Sequence, residues 1–217
     1  MSEWWTYSLS DLLMFSARTY FRQFELMNRA LWPLHLPALG AGIVLIACML
    51  RPRPASPKIA FVLLGLAWLW VGWAYHAQRY ADINTGAPYF AAGFGVQGAL
   101  LLWMATRRAG DGGMSRLAPA IVALALAAYP LLAPLGGRSG WQAEVFGMAP
   151  DPTVAVTFAA LLGWRAPWPL WVIPLLWSAA SAATLMELRA PFAWLLPGLA
   201  VLAIVLAARA KLRGEVA

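Results

Sequence analysis

The sequence is poor in charge. Asp, Glu, Lys and Arg make up 12% of its 217 residues, about half the share of an ordinary soluble domain. That shortage excludes a soluble globular or disordered chain. Cysteine is nearly absent: its one copy, Cys48, lies within an apolar run. An intrachain disulfide and any cysteine-based zinc or iron–sulfur site are thereby excluded. Lysine is reduced to Lys58 and Lys211, both at the ends of apolar segments, so the intramembrane lysine that a retinal Schiff base needs is missing. There is no Gly-x-Ser-x-Gly, no His-Glu-x-x-His, no pair of catalytic aspartates and no phosphate-binding loop. Hydrolase, protease and nucleotide chemistry therefore have no motif, and a non-enzyme is the expectation. The first residues, Glu3, Trp4 and Trp5, are acidic and aromatic, so no cleavable signal peptide is expected.

What the sequence has instead is apolar residues, 62% of the chain, and 13 tryptophans. Most of these tryptophans flank apolar runs, where amphipathic rings favour the lipid–water boundary. The formal charge is +7. In a polytopic protein such an excess collects in loops on one side of the membrane, so it implies no nucleic-acid partner. The partners implied are the lipid bilayer and, beyond it, a membrane-protein partner or a second copy of the chain.

The fold expected is all-α, a polytopic helical membrane bundle. Residues 1–30 form an amphipathic interfacial helix, 31–208 a seven-helix transmembrane domain, and 209–217 a basic cytoplasmic tail. Ser10 or Ser16 can cap the first helix. Arg18, Arg22, Glu25 and Arg29 make one polar stripe of it, and Ala17, Tyr20, Phe24, Met27 and Leu31 the opposing apolar one. Such a helix lies in the membrane interface or packs on the outside of the bundle.

Seven apolar segments follow, at about 31–50, 59–80, 88–106, 117–135, 152–164, 168–186 and 190–208, most of them near the ~20 residues that a bilayer requires. With seven spans, one side collects Arg51, Arg53, Lys58, Arg107, Arg108, Arg116, Arg165, Arg209, Lys211 and Arg213, and the other only Arg79, Arg138 and Arg189. The positive-inside rule then places the C-terminus in the cytoplasm and the N-terminal helix outside, in a bacterial cytoplasmic (inner) membrane. The three arginines of that helix run against this orientation.

The fifth segment is the short one. Asp151 followed by Pro152 reads as an N-cap and first helical position. From there to Trp164 the helix covers roughly 20 Å, against a ~30 Å hydrocarbon core. Either the bilayer thins, or the helix start stops short and leaves a recess on the outer side. In the second segment Gly65, Leu69, Gly72, His76 and Arg79 fall on one stripe at about 100° per residue. That stripe is expected to face a neighbouring helix, with the third segment's small-residue ridge of Ala91, Gly95 and Ala99 as its partner. The sixth segment carries Ser178, Ser181 and Thr184, with Pro174 a kink site. No internal repeat is visible, which counts against repeat-built transporter folds.

Several stretches are similar to one family: Glu3-Trp4-Trp5-Thr6-Tyr7, Ser10-Asp11-Leu12-Leu13-Met14-Phe15-Ser16, Arg18-Thr19-Tyr20, Gln78-Arg79-Tyr80, Ala87-Pro88-Tyr89-Phe90-Ala91, and Phe146-Gly147-x-Ala149-Pro150-x-Pro152-Thr153. They resemble bacterial integral membrane proteins catalogued only as a domain of unknown function. The resemblance implies a polytopic membrane fold and brings no activity with it. In that pattern a cysteine often precedes the Pro-Thr pair, where this chain has Asp151, so a thiol role at that position is in doubt here.

The candidate recess is drawn from polar residues assigned to the outer side or to the apolar segments: His35, His76, Arg79, Asp82, Gln97, Glu144, Asp151, Thr153, Glu187 and Arg189. They could form a vestibule or a proton-linked gate; the plainer reading is loop charges paired to fix helix ends. His35 and His76 at one depth could ligate haem or a metal, but the plainer reading is two interfacial polar groups, so no cofactor or metal is expected. Small-solute or ion permeation through an outward-facing polar recess is the leading function. A non-catalytic accessory or assembly subunit of a larger membrane complex is the alternative.

Overall fold

The computed structural model describes residues 15–107, 115 and 117–214. The motif over residues 3–14, with Ser10, lies outside the described residues, as do Arg108, Asp111, Arg116 and Glu215. The described chain is helical throughout: α1 Ala17–Ala30, α2 His35–Leu50, α3 Ser56–Val71, α4 Ala87–Ala105, α5 Ala118–Leu135, α6 Pro150–Gly163, α7 Val172–Glu187 and α8 Leu195–Gly214. Proline sets the starts. It occupies the first or second position of α3, α4, α5 and α6, where its missing N–H costs nothing and its φ is already helical.

Among the described residues, five helical stretches are long and apolar enough to cross a membrane. They are Ser56–Asp82, Ala87–Ala105, Ala118–Leu135, Trp168–Glu187 and Leu195–Leu212. A sixth is reached if α1 and α2, bent by 97° at residues 31–34, count together. All seven apolar segments read from the sequence are helices, but α2 and α6 fall short by length. At 14 residues, α6 is only roughly 21 Å long.

α6 is the centre of the bundle. All fourteen of its residues are buried, and α3, α5, α7 and α8 pack around it. Its residues suit that place: Ala155, Ala159, Ala160 and Gly163 let neighbours approach closely. Thr153 and Thr157 turn their hydroxyls back onto the carbonyls of Ala149 and Thr153, at 2.7 and 2.8 Å. The Thr157 hydroxyl also accepts from the indole N–H of Trp68, at 2.8 Å. A helix without a lipid-facing side needs no greasy stripe, so it can afford this polarity.

α1 starts at Ser16, whose hydroxyl accepts from the backbone N–H of Thr19. Its buried face of Tyr20, Phe21, Phe24, Met27 and Asn28 closes onto the bundle end where α6 begins. Phe24 stacks on Tyr75 at 5.1 Å, and Asn28 donates to the carbonyls of Trp141 and Ala143. The amphipathic helix thus spends its apolar face on protein.

Two local expectations are revised. α6 begins two residues earlier than the Asp151-Pro152 pattern indicates. Ala149 is the N-cap and Pro150 the first helical residue, because a proline there already has helical φ. At the other end of the chain α8 continues through Arg209 and Lys211 to Gly214, so the basic residues ride on the last helix.

Candidate functional site

Asp151, in the first turn of α6, is 4% exposed. Its two carboxylate oxygens accept from the indole N–H of Trp177 at 2.8 Å and the hydroxyl of Ser181 at 2.7 Å. Both donors come from α7, four residues apart and therefore on one face. The start of a helix favours negative charge, since its free N–H groups carry the positive end of the dipole. Nearby, Thr153 fastens the preceding turn: its hydroxyl accepts from the N–H of Gly147 at 3.0 Å, a glycine held at φ +72.

Glu144 lies in the loop between α5 and α6 and is 8% exposed. It shares with Asp151 a cavity of about 20 Å³, otherwise lined by Tyr129, Arg138 and apolar side chains of α1, α5, α7 and α8. That is room for about one water. Among the described residues no hydrogen bond reaches the Glu144 carboxyl. Burial pushes its pKa from 4.5 up to about 8, the charge of Asp151 adds to the rise, and Arg138 opposes it. Two carboxyls this close resist double ionisation. Among the described residues the buried hydroxyl of Tyr129 has no hydrogen-bond partner, and Tyr129 lines the same cavity.

Arg138 belongs both to this cavity and to a wider one of about 420 Å³ opening on the same end of the bundle. Its guanidinium lies 3.6 Å over the ring of Phe21, and among the described residues its buried Nε has no partner. The backbone explains its position. α5 ends in a left-handed Gly137 at φ 73, and the N–H of Arg138 returns to the carbonyl of Ala133 at 2.8 Å, the turn that commonly closes helices.

His76 sits in a six-residue π-helical turn, Gly72–Ala77, which continues α3. It is fully buried, boxed by the rings of Tyr75, Tyr80, Phe90, Phe94 and Trp177 at 4.5–5.9 Å, centroid to centroid. Among the described residues neither ring nitrogen has a hydrogen-bond partner. Trp177 touches both His76 and Asp151, so the imidazole box and the carboxyl pair share a wall.

The structure therefore brings Glu144, Asp151 and Thr153 together, with His76 one side chain away. Gln97 is buried deeper and donates to the carbonyl of Leu170 at 3.0 Å. Arg79 folds back to the carbonyl of Ala74 at 2.7 Å, closing the π-turn. His35 bonds Asn28 at 2.9 Å beneath α1. Asp82, Glu187 and Arg189 are exposed, with Arg189 on the rim of the wider cavity. Among the described residues no three of His, Cys, Asp and Glu are grouped to hold a metal ion.

Sequence reasoning left Trp177, Tyr129, Arg138 and Arg18 out of the candidate recess, although it assigned Arg138 and the helix carrying Arg18 to the same outer side. One signal was available for Trp177. It is a tryptophan in the middle of an apolar segment, four residues before a serine, where a boundary ring has no business.

A sequence model described as a family of unknown function, DUF6064, matches residues 17–217. No curated protein and no solved structure matches the chain.

Proposed function

The chain belongs to this family of unknown function, and from that premise we propose that it is a multi-pass integral membrane protein that admits a small solute or ion at the Asp151 end. The observation that carries this reading is the pair of buried carboxyls, Glu144 and Asp151, facing one water-sized cavity. That cavity is separated by Arg138 and Phe21 from an open vestibule of about 420 Å³. Buried acids inside a helical bundle are costly and mark ion or proton paths.

In this reading α2 to α8 are seven spans, with α2 and α6 completed by thinning of the bilayer around them. With the loops richer in arginine and lysine taken as cytoplasmic, the Asp151 end faces outward from a bacterial inner membrane and the end of α8 faces the cytoplasm. α1, bent 97° from α2, lies along the outer surface and roofs the site. The carboxyl pair holds one proton more easily than none or two, and Arg138 balances the charge when both are ionised.

The lower half of α6 favours a second reading. From Val154 to Leu162 its side chains are buried against one another and its neighbours, with only Thr157 polar, and that stretch offers no polar path. A subunit that docks on a larger membrane complex would need none. Reconstitution decides between the two readings. Liposomes holding the protein and a pH-sensitive dye should show solute-dependent proton movement that Glu144→Gln reduces about tenfold or more. Silent liposomes, together with a stoichiometric partner in native purification, would sink the permeation reading.

A further inference from the structure

The vestibule beside Arg138 has a composition that the carboxyl pair does not explain. Three elements each contribute one arginine to it: Arg18 from α1, Arg138 from the α5–α6 loop, and Arg189 from the α7–α8 loop. Among the described residues no acidic residue lines it; the remaining lining is Ser139, Gln142, Phe21 and small or apolar groups. Another surface cavity, of about 400 Å³, carries Asp82 and, among the described residues, no cation. Charge at this end is therefore sorted by place. Among the described residues neither the Arg18 nor the Arg189 guanidinium has a hydrogen-bond or ion-pair partner.

Two of the three cations are held there at a cost. Arg189 adopts φ 49, the left-handed region where glycine is the usual occupant. It closes α7 with its N–H on the carbonyl of Met186, while Ala190 returns to Leu185. Arg138 is clamped on Phe21 with a buried, unpartnered Nε. A helix end can be closed by glycine, and a solvated cation needs no clamp. Three arginines from three elements lining one cavity, with no carboxylate among its described lining, make a site for a multidentate acceptor.

The geometry points to an oxyanion site: the vestibule binds a phosphate-type group between Arg18, Arg138 and Arg189. This names the solute class for the permeation reading and rests on it only for movement across the membrane; binding itself does not. The same chemistry is offered by a free phosphate and by the phosphodiester of a lipid headgroup. A cavity of about 420 Å³ is wide enough for either one with part of its organic body.

The test uses the whole protein in detergent. Inorganic phosphate is titrated against a chloride control of equal ionic strength, and binding is read from the thermal midpoint. Native mass spectrometry of the same sample reads any retained phospholipid. Arg189→Gly removes the cation and leaves the residue best suited to that backbone, so folding is preserved; Arg18→Gln removes a second, exposed cation. Each variant should weaken phosphate binding about tenfold, the order of one charge-assisted bond. A phosphate response lost in the variants identifies a free oxyanion. A retained phospholipid that the variants release identifies a headgroup. Either result supports the site. Equal responses in wild type and both variants, or no phosphate response and no retained lipid, would overturn it. Binding without flux in liposomes would refute permeation and leave this site standing. Flux that ignores both arginines would do the reverse.

Discussion

At its first turn α6 presents a buried acid, Asp151, to two neutral donors on α7, beside a second buried acid, Glu144. At its last turn it hands the chain to an exposed cation, Arg165, at φ 47, with the N–H of Ala166 returning to Leu161 at 2.9 Å. Both charges have the sign that the helix dipole favours at their end. They differ in solvent. The cation is wetted. The acids are enclosed, and among the described residues neither forms an ion pair. A long-lived structural charge would more cheaply be placed as Arg165 is. That asymmetry is what supports the proposed function at the Asp151 end.

The comparison breaks most directly by truncation. Asp151→Ala leaves the Trp177 N–H and the Ser181 hydroxyl buried without an acceptor and should cost about 2–4 kcal/mol. Arg165→Ala should cost under about 1 kcal/mol, as exposed charges do. Denaturation in mixed micelles measures both. Equal losses would mean that the enclosure of Asp151 has no energetic content.

Thr157→Val asks how far down α6 the polar end reaches. It keeps the volume and orphans the Trp68 indole N–H, for an expected loss of about 1–3 kcal/mol. A neutral outcome by the same denaturation would place the end of the polar region above Thr157.

These contrasts also show what the sequence could and could not tell. Helix ends were legible because prolines and Ser16 act locally. The close contact of α3 with α4 was legible in part. A Cβ on Gly65 would lie 2.7 Å from Leu102 Cγ, and one on Gly98 would lie 2.8 Å from Leu69 Cγ. The register is Ala91, Phe94, Gly98 and Leu102, however, and Gly95 has open space beside it. Composition announces that small residues make a ridge; which of two small-residue rows faces inward depends on large neighbours such as Phe94. The central place of α6 was hidden for a different reason. In lipid an inward face is no more apolar than an outward one, so burial leaves little periodicity to read. Arg18 and Arg138 lie 120 positions apart in the chain, and nothing local links them.

A pH titration sharpens the comparison at smaller scale. Glu144 titrates at about 8 in the folded protein against an ordinary 4.5, so folding takes up a proton between those values. Its contribution to stability is therefore complete below about pH 4.5 and lost as pH rises through about 8. Asp151, Arg138 and Tyr129 face it across the cavity. Melting midpoints measured from pH 5 to pH 9, taken as a roughly even bracket of that window, should fall for the wild type and flatten in Glu144→Gln. A slope unchanged by that variant would assign the proton elsewhere.

The smallest expected effect on stability separates the two ends most cleanly in function. Arg165 and Arg189 occupy the same position of the same helix-closing turn, each in the left-handed region. Replacing either by glycine relieves about 1–2 kcal/mol of backbone strain. It also forfeits about 0.3–1 kcal/mol of dipole interaction and adds about 0.5–1 kcal/mol of unfolded-chain entropy. The terms nearly cancel, so both variants should melt within a few degrees of the wild type. Arg165→Gly should keep the phosphate response and Arg189→Gly should lose most of it, because only Arg189 lines the vestibule with Arg18 and Arg138. If both variants lost the response alike, phosphate would be reading the net charge of the protein and the two ends of the bundle would be equivalent to an anion.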